Sequence, residues 1–162
     1  MWTIMDSPVG ELRIVASGSA ITAISFSDHP PGPRPAGSLE ETRDDADPLL
    51  VETVRQLRAY FERDLRDFDL PLAPKGTAFQ QRVWDRLVGI GYGQTTSYGL
   101  IAVQLGMKVA ASRAVGLANG RNPIPIVIPC HRVVGVNGTL IGYAGGLERK
   151  QVLLELEQEA LF

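Results

Sequence analysis

Residues 97–120 read SYGLIAVQLGMKVAASRAVGLANG, and this stretch restricts the fold more than any other. Ser97 is a helix-capping residue type, and Ile101, Ala102 and Leu105 then recur on one helical face. Gly106 stops that helix, because glycine enters the left-handed conformation at little cost. After a GMK turn, VAASRAVGLANG carries a further short helix. Two short helices joined by a glycine-containing turn suggest a helix-turn-helix, although a pair of core helices leaves the same pattern. Ala110, Ala111, Ser112, Ala114, Gly116 and Ala118 are all small, and Arg113 alone projects among them. A helix this smooth suits tight packing inside the protein or close approach to a nucleic-acid groove. Arg113 is accordingly either a solvated charge or a probe.

The flanking segments define two units. Trp2–Met5, Leu12–Ala16 and Ile21–Phe26 are short apolar stretches bounded by Ser, Pro, Gly or Asp, which predicts a small antiparallel meander. Residues 29–48 are rich in proline and acids and are expected to form an exposed loop. Leu50, Val54, Leu57, Phe61 and Leu65 then mark one amphipathic helix. FDLPLAPKG leads out as a linker, so the expected domains are 1–72 and 76–162. Thr77 and Gln80 form a capping-box pattern, with Phe79, Val83, Trp84 and Leu87 behind it and Gly91 and Gly93 expected to end the helix. Asn137-Gly138 signals a hairpin after the helix-turn-helix, as a winged helix requires. In the final helix Glu157 shares a face with Leu153, Leu154 and Leu161, while Glu155 and Glu159 point away. Glu157 is therefore expected to be half-buried and to need a partner.

Charge is divided unevenly between these units. Residues 1–75 carry 8 Lys/Arg against 13 Asp/Glu, whereas residues 76–162 carry 8 against 5. No acidic residue lies between Asp85 and Glu148, a span that holds Arg86, Lys108, Arg113, Arg121 and Arg132. A surface without carboxylates approaches phosphates unopposed, though a glycine-rich apolar segment is poor in charge for simpler reasons. No apolar run reaches the ~20 residues of a membrane span. The N-terminus has no signal-peptide pattern, and a single cysteine forms no internal disulfide or zinc cluster. A reducing cytoplasm and a monomer are the expectations.

That cysteine, Cys130, stands in PIPIVIPCHRVVG, next to His131 and Arg132. A thiol attacks well only as thiolate, and the usual remedy is a histidine base oriented by a third polar group. Cys130, His131 and Glu157 supply those residue types. Adjacent residues of an extended strand face opposite ways, however, so a turn after Pro129 or a bridging water is required. Most lone cysteines are inert core residues.

PIPIVIPCHRVVG resembles the active-site signature of the O6-alkylguanine-DNA alkyltransferases, also called methylated-DNA–protein-cysteine methyltransferases. FQQRVW, GYGQTTSYGLIA, SRAVGLANGRNPIPIVIPCHRV, GTLIGYAGG and KQVLLELE are similar to successive family segments in order. The resemblance implies a ribonuclease-H-like α/β domain of small antiparallel sheet plus helix, followed by a mainly α winged helix-turn-helix domain. It implies that Cys130 takes the alkyl group irreversibly and once from O6 of a flipped-out guanine in duplex DNA, with no cofactor or metal. His131 would deprotonate Cys130 through a water, Glu157 would complete the relay, and Asn122 would brace the turn. Tyr98 would protonate the departing guanine, and Arg113 would fill the gap in the stack. Gln80, Gly99, Ala111, Ser112 and Arg121 would also face DNA in the minor groove. Val133, Pro125, Tyr143 and Ala144 would line the base pocket. The alternatives are a Cys/His/Glu thiol hydrolase and a winged-helix DNA-binding or lesion-marking protein without repair chemistry; contact with other copies along DNA stays open. Departures from the family pattern are Gly91 in place of a proline, a longer GMKVAASR turn, and Ala144 where serine is common.

Overall fold

Three antiparallel strands open the chain: β1 (Trp2–Met5), β2 (Leu12–Ser17) and β3 (Ala20–Phe26), ordered β1-β2-β3. The register places Met5 opposite Leu12 and Leu12 opposite Phe26, and a bulge interrupts the β2–β3 pairing at Val15/Ala16. Alternation along β2 sends Leu12 and Ile14 into the core, and the bulge lets Val15 and Ala16 be buried in succession. The structure is a computed structural model that describes residues 1–28, 42–135, 143 and 145–159. It divides into two units, Met1–Pro74 and Lys75–Phe162.

In the first unit α1 (Pro48–Phe61) packs against β1 and β2. It begins before Leu50, because Asp47 accepts a hydrogen bond from the Leu50 N–H at 3.0 Å and Pro48 occupies the first turn, where its missing N–H costs nothing. The buried stripe is Leu50, Thr53, Gln56, Leu57 and Tyr60, not the expected series through Val54 and Phe61. The helix ends before Leu65. Arg63 takes φ 65°, and the Arg63 and Asp64 amides return to the Tyr60 and Ala59 carbonyls, a Schellman closure with arginine in the position glycine prefers. Residues 71–73, expected to belong to a linker, are bonded to Ile21 at both its N–H and its C=O, each at 2.8 Å. The part of the expected loop at 29–41 lies outside the described residues.

The second unit contains α2 (Ala78–Val88), β4 (Thr96–Ser97), α3 (Tyr98–Gln104), α4 (Ser112–Gly120), β5 (Val133–Val134) and α5 (Leu147–Glu159). Thr77 and Gln80 form a reciprocal capping box at the start of α2. That helix stops at Gly89, earlier than the expected Gly91, as its last turn tightens through the bond from the Gly89 N–H to the Arg86 carbonyl. Gly76 has no room for a side chain, since a Cβ there would overlap the Trp84 ring.

Ser97 caps α3 through the Leu100 N–H at 3.1 Å. Gly106, at φ 77°, then closes the helix: the Gly106 and Met107 amides bond the Val103 and Ala102 carbonyls. Leu105 is only half-buried, because it is the C-cap rather than an interior residue. A single 3₁₀ turn, Val109–Ala111, precedes α4, and this is where the longer turn is absorbed. The chain bends by 118° between Tyr98–Gln104 and Val109–Gly120, the geometry of a helix-turn-helix. Two side chains of α2 lock the pair: Trp84 donates to the Ala118 carbonyl at 2.9 Å, and Arg82 donates to the Leu105 carbonyl at 2.8 Å. The Asn137-Gly138 hairpin lies outside the described residues. Among those described, no single helix is long and apolar enough to cross a membrane.

Candidate active site

The segment leading to Cys130 is a succession of tight turns. Asn122 Oδ1 accepts from the Ile124 N–H at 3.0 Å, and Asn122 Nδ2 donates across the loop to the Ile128 carbonyl at 2.8 Å. Inside this brace the Val127 amide bonds the Pro125 carbonyl at 2.9 Å around Ile126, whose φ is 74°. A fully buried β-branched residue at positive φ is strained, and the closed loop around it has to hold it there. Pro129 turns the chain again, with the Cys130 amide on the Ile128 carbonyl at 2.8 Å. Cys130–Arg132 then form one 3₁₀ turn. This is a turn after Pro129, in place of the extended strand that would send adjacent side chains to opposite faces.

Behind the cysteine lies a charged cluster. His131 and Glu157 are 0% and 1% exposed, with His131 Nε2 2.7 Å from Glu157 Oε2. Arg132 grips the same carboxylate with both arms of its fork, Nε to Oε1 at 2.8 Å and Nη2 to Oε2 at 3.0 Å. The Gly93 amide adds a bond to Oε1 at 3.2 Å. Burial pushes the Glu157 carboxyl up, but the hydrogen bonds from His131 and Arg132 outweigh it and hold the group down at about 2. An ionised Glu157 requires its partner nitrogen to carry the hydrogen, so His131 is the Nε2–H tautomer. Its Nδ1 is buried, has no hydrogen-bond partner, and keeps its lone pair. Burial also lowers the basicity of His131, which favours the neutral ring that a base must be.

The Cys130 sulfur is held by polar groups rather than sealed in hydrocarbon. Burial pushes the thiol up to about 11. The Asn122 side chain, the Lys150 charge and the backbone N–H groups of Cys130 and His131 oppose that shift. Asn119 donates to the Cys130 carbonyl at 3.3 Å. Tyr98 and Tyr143 both sense the sulfur: burial raises each phenol, and the Cys130 charge raises them further. Lys150 is fully buried and donates to the Val133 carbonyl at 2.6 Å, and burial lowers it to about 8.

The structure brings Asn122, Tyr98 and Tyr143 within reach of Cys130 and pairs His131 with Glu157, while the Pro125 and Val133 carbonyls accept from the Val127 amide and from Lys150. Glu157 is fully buried rather than half-buried, because Arg132 and His131 both reach it. Arg113 and Arg121 are exposed on and beside α4, with Ala111 and Ser112 half-buried at its start. Gly99 sits against Val109, where a Cβ would come within 3.3 Å of Cγ1. Gln80 commits its Oε1 to the capping box. Ala144 lies outside the described residues. For Arg132 the charge pattern left a phosphate-facing role open, and the structure instead commits its fork to Glu157. Asn119, Arg132 and Lys150 are the site residues that sequence reasoning overlooked. For Lys150 the signal was present, since it lies three residues before Leu153 and seven before Glu157, on the buried face of α5. Among the described residues, no group of three or more His, Cys, Asp or Glu could hold a metal.

A thiol backed by a histidine–glutamate pair and carried beside a helix-turn-helix defines the class of cysteine nucleophiles built on a DNA-binding fold. The family model for the DNA binding domain of 6-O-methylguanine DNA methyltransferase matches residues 78–159, and that for its ribonuclease-like domain matches residues 1–74. The chain belongs to this family. It is 51% identical over 154 residues to the methylated-DNA–protein-cysteine methyltransferase of Mycobacterium leprae, covering 95% of this chain and 90% of that protein. The Methanosarcina acetivorans protein of the same name is 44% identical, with 96% and 97% covered. The crystal structure of Mycobacterium tuberculosis OGT in complex with DNA is similar at a TM-score of 0.89 and 46% identity, covering 98% of this chain and 93% of that one.

Proposed function

We propose that Cys130 is the acceptor in a methylated-DNA–protein-cysteine methyltransferase that repairs DNA by direct reversal, removing the alkyl group from O6 of a guanine rotated out of the duplex. The relatives' names and the DNA-bound structure support alkyl transfer to cysteine and a DNA partner. The observation that carries the assignment to this residue is the 2.7 Å contact between His131 Nε2 and the Glu157 carboxylate, which leaves the buried Nδ1 of the residue next to Cys130 without a hydrogen-bond partner. The S–H proton passes to Nδ1, through a water. The sulfur then attacks the alkyl carbon in line, the C–S bond forming as the C–O bond breaks. The electron pair moves into guanine, Tyr98 donates a proton at N3, and the phenolate regains one from solvent. The thioether product is not reversed by thiol exchange, so each molecule acts once.

Rotating a base out costs on the order of a few kcal/mol. Arg113, exposed at the start of α4, offsets part of this by filling the gap, while the small residues of 110–118 bring the helix into the minor groove. Gln80, Gly99, Ala111, Ser112 and Arg121 extend that surface, and the Val133 carbonyl meets the guanine amino group. A reducing cytoplasm suits a protein whose single thiol has to remain unoxidised. Incubation with an O6-methylguanine duplex followed by intact mass measurement tests the reading. One methyl group should appear on Cys130 and none on the Cys130→Ser protein. An unmodified wild-type protein beside intact lesion would overturn it.

A further inference from the structure

The proton relay as just described uses His131 and Glu157, yet the most heavily committed side chain in the site is Arg132. Its three nitrogens are all engaged: Nε and Nη2 on the two oxygens of Glu157, and Nη1 on the Ile90 carbonyl at 2.6 Å. Its guanidinium also lies 5.7 Å from the centre of the Tyr92 ring. With the Gly93 amide, these contacts leave Glu157 no freedom to turn, and they point Oε2 at His131. Besides Glu157 and Arg132, the charge that acts on His131 is Lys150 from α5, about two turns before Glu157, and Lys150 in turn senses Cys130.

We propose that Arg132 is a positioning residue of the relay, whose two-pronged grip keeps Glu157 a fixed, ionised acceptor so that His131 presents a bare Nδ1 to the thiol. The inference rests on the reading of Cys130 as acceptor. Its physical content is a choice between two tautomers. With Glu157 ionised, Nε2 holds the hydrogen and Nδ1 receives the thiol proton. With Glu157 protonated, the carboxyl donates to Nε2, Nδ1 carries the hydrogen, and the proton path from sulfur is closed. Burial of Glu157 favours the second arrangement, and Arg132 opposes it. A lysine keeps the charge but has no planar fork, so it holds the carboxylate at one point only.

The test uses the full chain with Arg132→Lys and Arg132→Met. Two readouts are taken from about pH 5 to about pH 9, a range that spans histidine titration: the single-turnover rate of alkyl transfer from an O6-methylguanine duplex, and the ¹⁵N shifts of the His131 ring. Removing Arg132 lets the acidity of Glu157 weaken and the basicity of His131 increase. Both changes move the acid limb of the rate profile to higher pH. The expected loss at a fixed acidic pH is about tenfold for each unit the limb moves, with recovery towards wild type on the alkaline side. The ring shifts should show the Nε2–H tautomer in wild type through neutral pH and its replacement in the variants. If Arg132→Met does not fold, Arg132→Lys decides alone. A lysine variant with the wild-type profile and wild-type tautomer overturns the proposal. The tautomer is read without DNA, so a failure of the acceptor assignment, seen as an unmodified Cys130, is distinguishable from a failure of this one.

Discussion

Gln56 in the first unit and Glu157 in the second occupy similar positions and do different work. Each lies on a helix, is almost fully buried, and reaches across to another segment. Gln56 gives Nε2 to the Asp69 carbonyl at 3.0 Å and takes the Asp69 amide on Oε1 at 2.9 Å, closing the chain after α1 with a side chain that is itself neutral and whose second Nε2 hydrogen goes to the Glu52 carboxylate at 3.0 Å. Glu157 has the same shape and one charge more, and that charge requires Arg132, His131 and the Gly93 amide around it. Apart from Asn119, a neutral amide of the second unit that holds the Cys130 carbonyl, the other buried polar groups divide the same way. Thr3 and Thr53 in the first unit satisfy a carboxylate and a backbone carbonyl, whereas the second unit buries His131, Arg132 and Lys150. Neutral polar burial serves architecture. Ionisable burial is expensive, and its concentration around one thiol marks where the chemistry is.

Glu157→Gln breaks the comparison most directly, because it gives the second unit the neutral amide of the first. Arg132 then stays buried without its counter-charge, at a cost of about 3–5 kcal/mol. The amide also cannot accept at both positions, so His131 loses its fixed tautomer. Alkyl transfer should slow by about 10²–10⁴-fold. Urea unfolding and single-turnover kinetics on the same preparation measure both effects. A Glu157→Gln protein with wild-type rates would show that the charge is architectural after all.

The pH dependence sharpens the same contrast. Glu157 is held at about 2 against an ordinary 4.5, so its stabilisation is fully present above 4.5 and is lost as pH falls towards 2. His131 is lowered from 6.5, so below that value the unfolded chain binds a proton the folded one refuses, and stability declines further. Both act in one direction: the second unit weakens as acid is added from about pH 6.5 downward. Trp2→Phe leaves Trp84, buried on α2, as its fluorescent reporter. Urea midpoints should fall from about pH 7 to about pH 4 in this background. The lower part of that fall should flatten when Glu157→Gln is added, since a neutral amide contributes no titration.

How much of this was legible in the sequence follows from what each element depends on. The meander, the capping box and the glycine stop at Gly106 are local, determined by residues within a few positions of one another, and they stand where the pattern put them. The first helix departs from its apolar pattern at both ends. Its start depends on Asp47 and Pro48 acting as cap and first turn, and its end depends on Arg63 adopting a conformation that residue type rarely signals. The helical phase of α5 singled out Glu157 correctly. The same phase contains Lys150, a residue type almost never fully buried unless paired, so the pattern alone does not mark it. Arg132 carries no local sign of its ion pair, because its partner lies 25 residues away. Nothing in PIPIVIPCHR announces the positive φ at Ile126, which the Asn122 brace imposes from outside.

Gln56→Ala tests the architectural half of the comparison and should produce the smallest effect. It strips the partner from both the amide and the carbonyl of Asp69. Those groups are only partly buried, so solvent can recover part of the loss, and the expected cost is about 1–3 kcal/mol. The rate of alkyl transfer should not change, since the residue bonds the Asp69 backbone and the Glu52 carboxylate, both in its own unit, and no group of the site. A drop in stability with an unaltered rate separates neutral polar burial from the ionised kind. A drop in rate at full stability would mean that the sheet-bearing unit takes part in the reaction, and the division drawn between Gln56 and Glu157 would not hold.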